Sequence, residues 1–474
     1  MHPDFDAVRA EFGLPAAFPA AALAEAARAA AARPTAGPDR VDATDVPLVT
    51  IDPPGAKDLD QALGVARRGD GFRVHYAIAD VGAVVAPGAA LDREVRRRGQ
   101  TFYLPDGSVP LHPPALAEDA ASLLPDGPRA AVLWRIDLDG GGEPTAVDVR
   151  RAVVRSRARL DYAGVQADLD AGRPTHPALE PLPDVGRLRR ALAVRRGAIE
   201  LELPEQEVVA ARGGGWTVRV RRRLDVEAWN AEMSLLTGTC AAGVMLAAGA
   251  GLLRTLPGPD PDALAQFRRT AERLGVDWPA GRSVAELLSG LPADSPVALA
   301  LRRAATSLLR GAGYAAFDSA AGLAPPADPG HGGIGAPYAH VTAPLRRLAD
   351  RFGSEVCLAA AAGAEPPAWV REALPGLPSV MAASDALAAK VDRACVDRTE
   401  ATLLAGRIGA EFDAVVLRPG GPNGAAGEVY LADPPVLAPC TGPLTAGGSA
   451  RVRLVEAEPA TGRIAFSARS SSAT

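Results

Sequence analysis

The sequence predicts an α+β protein with more than one domain, and three observations support this. In the first third of the chain, β-type runs alternate with turns, at Phe72 to Asp80, Ala130 to Leu138 and Val147 to Arg159. From Val226 to Leu309, Leu, Met and Ala recur every three or four residues, which is typical of helices. After Leu404, short alternating strands return. A chain of 474 residues is long enough for two to four such domains.

The N-terminal part predicts a short helical segment. Residues 4 to 33 indicate two short helices divided at Gly13-Leu14-Pro15, and Pro34 to Asp45 has the composition of a linker. The start is acidic and lacks the basic region of a signal peptide, and charged residues interrupt the alanine run that follows. The four cysteines are scattered, which fits a reducing compartment and gives no zinc site. We therefore expect a cytoplasmic protein without membrane contact.

The C-terminal part predicts a small β-barrel. Helices at Pro344 to Ala361 and around Ser384 to Leu404 precede alternating segments at Glu411 to Arg418, Gly427 to Leu431 and Ala450 to Ala457. About 65 residues of short strands with glycine-rich turns favour an OB-type barrel, a fold that often binds single strands. The predicted domains are a helical segment (1–41), a large central domain (42–402), and an OB-fold barrel with its tail (403–474).

The charge of the chain argues against a protein that coats nucleic acid with its outer surface, because the net charge is −5. It leaves room for a basic channel inside an acidic shell. Two arginine series alternate along predicted strands, and they are Arg155, Arg157 and Arg159, and Arg219, Arg221 and Arg223. Each series places cations on one face, which suits either a channel wall facing phosphates or a solvated sheet face.

The segment from Asp52 to Gln61 crowds three carboxylates and Lys57 around a Pro-Pro-Gly bend. Asp58 and Asp60 are two apart, so an extended backbone places them on one face, and the bend can return Asp52 toward them. Carboxylates this close repel one another unless cations neutralise them, and Mg²⁺ takes oxygen ligands while leaving sites for phosphate. This acidic loop is a candidate metal site; the alternative is a solvated acidic turn.

A second constellation runs from Tyr338 to Asp350. Pro344 favours a helix start, and helix N-termini favour phosphate. Arg346 and Asp350 are four apart, so the carboxylate can hold a guanidinium that grips phosphate with two hydrogen bonds. An ordinary surface ion pair is the alternative for this segment taken alone.

Together with other motifs, the two segments resemble the ribonuclease II / ribonuclease R family, whose catalytic unit is the RNB domain. The resemblance covers roughly residues 42 to 400. The matching segments, in order, are Thr50-Ile51-Asp52-Pro53, Asp58-Leu59-Asp60, Tyr76-Ala77-Ile78-Ala79-Asp80-Val81, Thr101-Phe102-Tyr103-Leu104-Pro105, Ala121-Ser122-Leu123, Ser156-Arg157-Ala158-Arg159-Leu160-Asp161-Tyr162, Glu232 with Leu235-Leu236, and His340-Val341-Thr342-Ala343-Pro344-Leu345-Arg346-Arg347.

The resemblance implies a catalytic domain of mixed β-sheets surrounded by helices. It implies a processive, hydrolytic 3′-to-5′ exoribonuclease that degrades single-stranded RNA to nucleoside 5′-monophosphates. The implied cofactor is Mg²⁺, with Mn²⁺ as a substitute, at the bottom of a channel that admits only single strands. We expect a monomer that needs no nucleotide cofactor.

The resemblance also assigns residues. The implied catalytic residues are Asp52, Asp58, Asp60 and Arg346, the last contacting the scissile phosphate. The implied metal ligands are Asp52, Asp58, Asp60 and Gln61. The implied RNA-binding residues are Tyr103, which stacks near the 3′ end, Glu232, which contacts the terminal nucleotides, His340, Arg346 and Arg347.

The chain departs from the family pattern at several positions. Gln61 stands where the family usually has a second aspartate, so we expect weaker metal binding, and Gln61→Asp should lower the metal concentration needed. Ala343 replaces a serine, and Leu201 stands where we align the second stacking aromatic. Only about 40 residues precede the predicted catalytic domain, where the family usually carries two cold-shock barrels, so we expect a short form.

Two alternatives remain open at the level of sequence. The first is a catalytically silent relative that threads RNA but cannot cut it, because Gln61 breaks the metal site. The second is a phosphodiesterase of the same chemistry that acts on DNA or on short oligonucleotides. Cleavage of labelled RNA and DNA, with and without metal, separates all three.

Overall fold

The computed structural model describes residues 2–32, 36–125, 127–201, 203, 205–292, 295–421 and 425–468. The elements of the first half are α1 (Phe5–Glu11), α2 (Ala20–Ala31), β1 (Val41–Asp52), β2 (Gln61–Arg68), β3 (Gly71–Ala79), α3 (Ala90–Arg98), β4 (Phe102–Leu104), β5 (Gly107–Val109), β6 (Arg129–Leu138), β7 (Pro144–Asp161), α4 (Tyr162–Asp170), α5 (Leu182–Arg195), β8 (Glu205–Ala210), β9 (Trp216–Arg221) and α6 (Asp225–Ala248). Those of the second half are β10 (Ala250–Thr255), α7 (Pro261–Arg273), α8 (Val284–Ser289), α9 (Pro296–Ala305), β11 (Gly313–Asp318), β12 (Gly330–His331), β13 (Ala336–Pro337), α10 (Leu348–Ala361), α11 (Ala368–Ala373), α12 (Leu377–Leu404), β14 (Glu411–Arg418), β15 (Gly427–Ala432), β16 (Pro435–Thr441), β17 (Ser449–Glu458) and β18 (Arg463–Ala468).

Five of the N-terminal strands close into a barrel in the order β1-β2-β3-β6-β7. The barrel closes because β1 lies parallel to β7, while the other neighbours are antiparallel. Leu48, Leu63, Val74 and Trp134 are fully buried in its core, as the alternation of apolar residues along these strands requires. The predicted strands around residues 72–80, 130–138 and 147–159 are confirmed, and the acidic loop joins β1 to β2.

Helices pack around this barrel and complete the main core. α6 packs against α5 and α10, and its buried residues, such as Met233 and Leu236, join the barrel residues in one apolar cluster. By length and composition α6 is also apolar enough to cross a membrane, although many of its residues lie in that cluster. α7 to α9 form a separate group around Phe267 and Leu301. The predicted α+β architecture is confirmed.

The C-terminal strands form a second closed barrel in the order β14-β15-β16-β18-β17. Phe412, Val429, Leu454 and Phe466 fill its own core. The predicted OB-type barrel is confirmed, with five strands where the sequence had indicated three. α12 continues to Leu404 and packs on β17 and β18.

The N-terminal helix α1 packs on the central domain. Phe5 and Val8 of α1 are buried with Phe102 and Leu104 of the β4–β5 hairpin, and the Arg9 guanidinium makes two hydrogen bonds to Asp106 in the turn of that hairpin, at 2.7 and 2.9 Å. The two predicted helices are confirmed, and α1 supports the β4–β5 hairpin.

Three predicted boundaries were wrong or incomplete. The linker expected over Pro34 to Asp45 ends earlier, because β1 begins at Val41, and residues 34 and 35 lie outside the described residues. The helical region after Val226 is interrupted by strand β10, which pairs with β11. The helix expected from Pro344 begins at Leu348, so Arg346 precedes the helix.

Candidate active site

The acidic loop is fixed at one end of the first barrel by a neighbouring serine. The Ser122 hydroxyl accepts a hydrogen bond from the Leu59 amide (3.0 Å) and donates one to the Lys57 carbonyl (2.6 Å). The Leu123 amide also donates to the Leu59 carbonyl, and the Leu59 side chain is fully buried. The loop is therefore held at three points, and Asp58 and Asp60 flank its buried anchor. Ser122 lies in the motif Ala121-Ser122-Leu123, but no local pattern indicates that it anchors the acidic loop.

Asp60 is the most buried carboxylate of the loop, with 3% of its surface exposed. Its Oδ1 accepts a hydrogen bond from the Leu345 amide at 2.7 Å, which joins the loop to a segment 285 residues away. Its Oδ2 is buried without a hydrogen-bond partner, and the Arg346 Nε lies 3.3 Å from it. The predicted meeting of the acidic loop with Arg346 is thus present in the structure.

Burial raises the pKa values of two carboxylates in the acidic loop. Burial raises the pKa of Asp60 to about 8, although the Arg346 charge opposes the shift. Burial raises the pKa of Asp52 to about 6, again against Arg346 and with a further contribution from Asp58. Groups of this kind are stabilised in their charged form by a nearby cation. The orphaned Asp60 Oδ2 is a hard oxygen ligand of the type that Mg²⁺ prefers.

The four-residue spacing of Arg346 and Asp350 predicted the wrong ion pair. Arg347, and not Arg346, makes the bidentate hydrogen bonds to Asp350, one of them 2.8 Å long. The reason is that Arg346 and Arg347 precede α10, so the i, i+4 geometry of a helix does not apply to them. Asp350 also accepts from the Ala343 amide. Arg347 therefore braces the segment, while about half of the Arg346 side chain stays exposed.

Gln61 has a structural partner for each polar atom of its side chain. Its Nε2 donates to the Thr342 carbonyl at 2.7 Å. Its Oε1 accepts from the Tyr76 hydroxyl at 2.5 Å, and the Ser234 Oγ lies 3.3 Å away. Both lone pairs of Oε1 face protein donors, so the predicted metal ligand at Gln61 has no free oxygen in this arrangement. Gln61 instead ties the acidic loop to the segment that carries Arg346.

This geometry reverses the expected effect of Gln61→Asp. The shorter, charged side chain cannot donate to the Thr342 carbonyl, which is buried. We expect a loss of stability of about 1–3 kcal/mol, the usual cost of leaving buried polar groups unpaired, with no fall in the Mg²⁺ concentration needed. Chemical denaturation and a Mg²⁺ titration measure the two effects, and Gln61→Glu, of matched length, isolates the charge. A lower Mg²⁺ requirement at unchanged stability would restore the metal-ligand assignment.

Tyr103 lies on the exposed face of the β4–β5 hairpin. Its neighbours Phe102 and Leu104 point into the core, as strand alternation requires, and the Tyr103 side chain is half exposed. Its hydroxyl donates to Asp58 Oδ2 at 2.8 Å. Tyr103, Arg346, Arg347 and Asp392 line one surface cavity of about 410 Å³. The ring is therefore available for stacking next to the arginine, as the RNA-binding prediction requires.

Glu232 does not join this group. It lies on α6 between Asn230, which donates to the Tyr162 hydroxyl, and Ser234, which faces Gln61. Two residues along a helix turn a side chain by about 200°, so Glu232 points to the opposite side. There it is buried near Arg189, lines a separate cavity of about 200 Å³, and burial raises its pKa. The arrangement does not support the predicted contact of Glu232 with terminal nucleotides.

His340 is enclosed by aromatic rings. Its Nδ1 lies 2.7 Å from the Tyr314 hydroxyl, and its ring meets those of Tyr314 and Tyr338 edge to face. Burial and the charge of Arg347 hold the pKa of His340 well below its ordinary value of 6.5. His340 is consequently neutral near pH 7 and offers no charge to a phosphate; its predicted contact with RNA stays a prediction.

The two arginine series differ in their surroundings. Arg155, Arg157 and Arg159 are exposed along one face of β7, and Arg159 is close enough to lower the pKa of Asp52. The second series is compensated by glutamates, in the ion pairs Arg219–Glu207, Arg221–Glu227 and Arg223–Glu200. Only the first series is arranged as a basic approach to the acidic loop. Leu201 packs against the core of α7 to α9 and offers no stacking face.

Among the residues that the structure describes, no three Asp, Glu, His or Cys side chains converge as an ion would require. The donor set of the loop nevertheless fits a hard divalent cation, because Asp60 carries an orphaned oxygen and Asp52 a raised pKa. Asp58 is the remaining carboxylate, and its Oδ2 is bound by Tyr103.

An acidic loop and an arginine at the end of a closed barrel, followed by an OB-type barrel, define the RNase II-type class of folds. The sequence model of the RNB domain matches residues 40–353, and that of the RNase II-type exonuclease C-terminal S1 domain matches residues 410–469. The chain therefore belongs to the RNB-domain family. The family resemblance found in the motifs is confirmed.

Known relatives agree with this membership. Ribonuclease R of Escherichia coli is 34% identical over 327 residues, which are 66% of this chain and 39% of the relative. The chain thus matches about two fifths of the length of that curated relative. Ribonuclease R of Aquifex aeolicus is 28% identical over 77% of this chain and 53% of its own length.

Solved structures share the fold. Mycoplasma genitalium RNase R in complex with ribose methylated single-stranded RNA superposes with a TM-score of 0.86 at 19% identity, covering 98% of this chain and 77% of the other. A pseudonuclease from yeast superposes with a TM-score of 0.70 at 18% identity, covering 90% and 52%. Because the fold is shared by a pseudonuclease, the activity must be argued from the site.

Proposed function

We propose that this chain is a processive, hydrolytic 3′-to-5′ exoribonuclease that degrades single-stranded RNA to nucleoside 5′-monophosphates with the help of a divalent metal ion. The observation that carries the proposal is the pairing of the buried, partly unsatisfied Asp60 with Arg346 beside an exposed tyrosine. Membership of the RNB family, and the name of the Escherichia coli relative, support it. The structure of Mycoplasma genitalium RNase R, which shares the fold and holds single-stranded RNA, also supports RNA as the substrate.

Arg346 is the residue best suited to hold the phosphate. Its Nε lies 3.3 Å from Asp60 Oδ2, and about half of the side chain is exposed. The planar guanidinium can therefore give parallel hydrogen bonds to two non-bridging phosphate oxygens. Charge that builds on those oxygens during cleavage is stabilised by the same group. Asp60 keeps the guanidinium in place from the protein side.

Tyr103 is suited to hold the base next to that phosphate. Stacking of a base on an exposed aromatic ring contributes about 1–3 kcal/mol and is nearly independent of base identity. The half-exposed Tyr103 ring shares a cavity with Arg346, so one nucleotide can contact both. An exoribonuclease that degrades RNA of any base sequence requires a base contact of this kind.

Asp52, Asp58 and Asp60 are the residues that would hold Mg²⁺, or Mn²⁺ in its place. Bound there, the ion would polarise the phosphoryl group and lower the pKa of a water molecule. Asp52 and Asp60 must lose their protons to bind it, and their raised pKa values make metal affinity rise with pH. Gln61 makes hydrogen bonds to Tyr76 and Thr342, which supports a role in bracing the loop, and we leave it out of the proposed ligand set.

A second candidate function is RNA binding without cleavage. It is favoured by the neutral Gln61, which removes one charge relative to the family pattern, and by the unconverged carboxylates among the described residues. Gln61 nevertheless braces the loop, and the half-exposed Arg346 guanidinium beside Asp60 is placed to hold a phosphate at the carboxylates. We therefore favour the nuclease.

One assay separates these functions. The purified chain is incubated with 5′-labelled single-stranded RNA, with DNA of the same sequence, and with Mg²⁺ or EDTA. We expect a ladder that shortens from the 3′ end on RNA with Mg²⁺, and no products with EDTA. Retention of intact RNA with Mg²⁺ would establish the silent binder, and equal cleavage of DNA would establish the broader phosphodiesterase.

We further propose that the enzyme acts as a monomer in the cytoplasm. All four cysteines are free, and three of them are buried, which suits a reducing compartment. Size-exclusion chromatography with light scattering tests the monomer, and a fluorescent fusion tests the location.

A further inference from the structure

The starting observation is the hydrogen bond between Tyr103 and Asp58. The Tyr103 hydroxyl donates to Asp58 Oδ2 at 2.8 Å, so one carboxylate of the acidic loop is bound by the side chain predicted to stack on RNA. In the same conformation, no three metal-ligating side chains converge among the described residues. Asp60 Oδ2, buried beyond nine tenths, still lacks a hydrogen-bond partner. One side chain thus faces both the acidic loop and the cavity of Arg346.

The hairpin that carries Tyr103 is rigidly supported. Phe102 and Leu104 are buried against α1, and the bidentate Arg9–Asp106 contact fixes the turn of the hairpin. The Thr101 amide also donates to the Arg346 carbonyl at 2.9 Å, which ties the start of the hairpin to the arginine segment. A change in the contact between Tyr103 and Asp58 therefore comes from rotation of one of these two side chains and not from movement of the hairpin.

The face of the Tyr103 ring is open to the solvent. Half of the side chain is exposed, and it lines the cavity of about 410 Å³ together with Arg346 and Arg347. A base that stacks on this ring, with its phosphate on Arg346, occupies the space next to the hydroxyl. Rotation of the Tyr103 side chain about its Cα–Cβ bond, which brings the ring against the base, moves its hydroxyl off the Asp58 carboxylate.

We propose that Tyr103 couples entry of an RNA 3′ end to assembly of the divalent-cation site, by holding Asp58 through its hydroxyl until a stacked base turns the ring. This inference rests on the proposed function and adds a regulatory role to a single residue. Tyr103 acts as a positioning residue toward Asp58 and as a contact toward RNA. By linkage, RNA must then raise the affinity for metal by the same factor by which metal raises the affinity for RNA.

The consequence is a site that stays poorly assembled while no substrate is bound. A hydrogen bond to a charged carboxylate is strong enough to change an affinity about tenfold. Free of the hydroxyl, Asp58 can rotate toward Asp52 and Asp60. Metal-dependent hydrolysis would then take place only while a base is stacked on the Tyr103 ring.

The test is the binding of Mn²⁺ to Tyr103→Phe, measured by electron paramagnetic resonance of free Mn²⁺. The variant keeps the ring and loses the hydroxyl. Without RNA, we expect it to bind Mn²⁺ about tenfold more tightly than the unaltered protein. With a saturating 2′-O-methylated oligonucleotide, the unaltered protein gains affinity, and the gain of the variant is about tenfold smaller. Unchanged Mn²⁺ affinity in the variant overturns the proposal.

Two further variants complete the design. Tyr103→Ala loses the stacking face as well, so its affinity for the oligonucleotide falls, while Tyr103→Phe, which has no hydrogen bond to Asp58 to break, binds the oligonucleotide about tenfold more tightly than the unaltered protein. Equal loss of RNA affinity in both variants would place the hydroxyl on RNA and overturn the coupling. Tyr430→Phe, in strand β15, is the matched control and leaves Mn²⁺ affinity unchanged. If the unaltered protein binds neither Mn²⁺ nor RNA, the proposed function itself fails, which is a separate result.

Discussion

Asp60→Asn is expected to lower turnover by about 10³-fold or more, while the affinity for single-stranded RNA changes little. Asparagine keeps an oxygen for the Leu345 amide, so the link between the two segments survives. It removes the charge that faces Arg346 and the oxygen best placed for a cation. RNA affinity persists because most of it comes from phosphate contacts elsewhere along the strand. Single-turnover cleavage and filter binding measure the two quantities.

The same variant has a signature in stability that does not depend on substrate. The folded-state pKa of Asp60, about 8, lies above its ordinary value of 3.8. Its protonated form therefore stabilises the folded state fully below about pH 4, and this contribution is lost as the pH rises through 8. The metal-free Tm of Asp60→Asn should exceed that of the unaltered protein at pH 8 and equal it at pH 4.

A matched control separates this effect from the general effect of removing a negative charge near the acidic loop. Glu118→Gln removes an exposed acid that pairs with Lys57 at 3.7 Å. We expect neither its turnover nor the pH dependence of its Tm to change. Normal turnover in Asp60→Asn would remove Asp60 from the mechanism, whatever its effect on stability.

The large elements of the fold were predictable because their patterns are local. Alternation along β3, β6 and β7 is visible in a window of ten residues, and so is the apolar periodicity of α6. β10 was not predictable, because Ala250 to Leu253 continues the apolar pattern of the preceding helix and becomes part of a strand only by pairing with β11. Gly249, which adopts a left-handed conformation at the end of α6, is the one local signal that could have placed this break.

The site was predictable only in part because its contacts join distant segments. Asp60 and Arg346 could be placed together by family motifs, and the structure brings them to 3.3 Å. The role of Gln61 depends on Thr342, 281 residues away, and no local pattern reports such a partner. Glu232 lies apart from this group for a different reason: a helix position fixes its direction, and Glu232 is turned away from Ser234 by helix geometry alone. Its predicted contact with RNA stays a prediction.

Arg346→Lys is expected to lower kcat by about 10²–10³-fold with little change in KM. Lysine keeps the charge but loses the planar fork that can hold two phosphate oxygens at once. The loss falls on kcat because charge on those oxygens grows during cleavage, whereas RNA along the rest of the strand is bound as before. Steady-state kinetics on a short single-stranded RNA measure the split. Arg393→Lys, on the exposed pair with Asp397 in α12, serves as the control.

The partnership of Arg346 with Asp60 can be tested separately from chemistry. Arg346→Met leaves a buried carboxylate without its opposing charge, so the metal-free protein should lose stability at pH 8. Adding Asp60→Asn removes that buried charge and should recover much of the loss, so the two effects on the free energy of unfolding are not additive. Additive effects would mean that the contact seen at 3.3 Å contributes nothing to folding, and that Arg346 is held in place by the Thr101 and Ala343 backbone contacts alone.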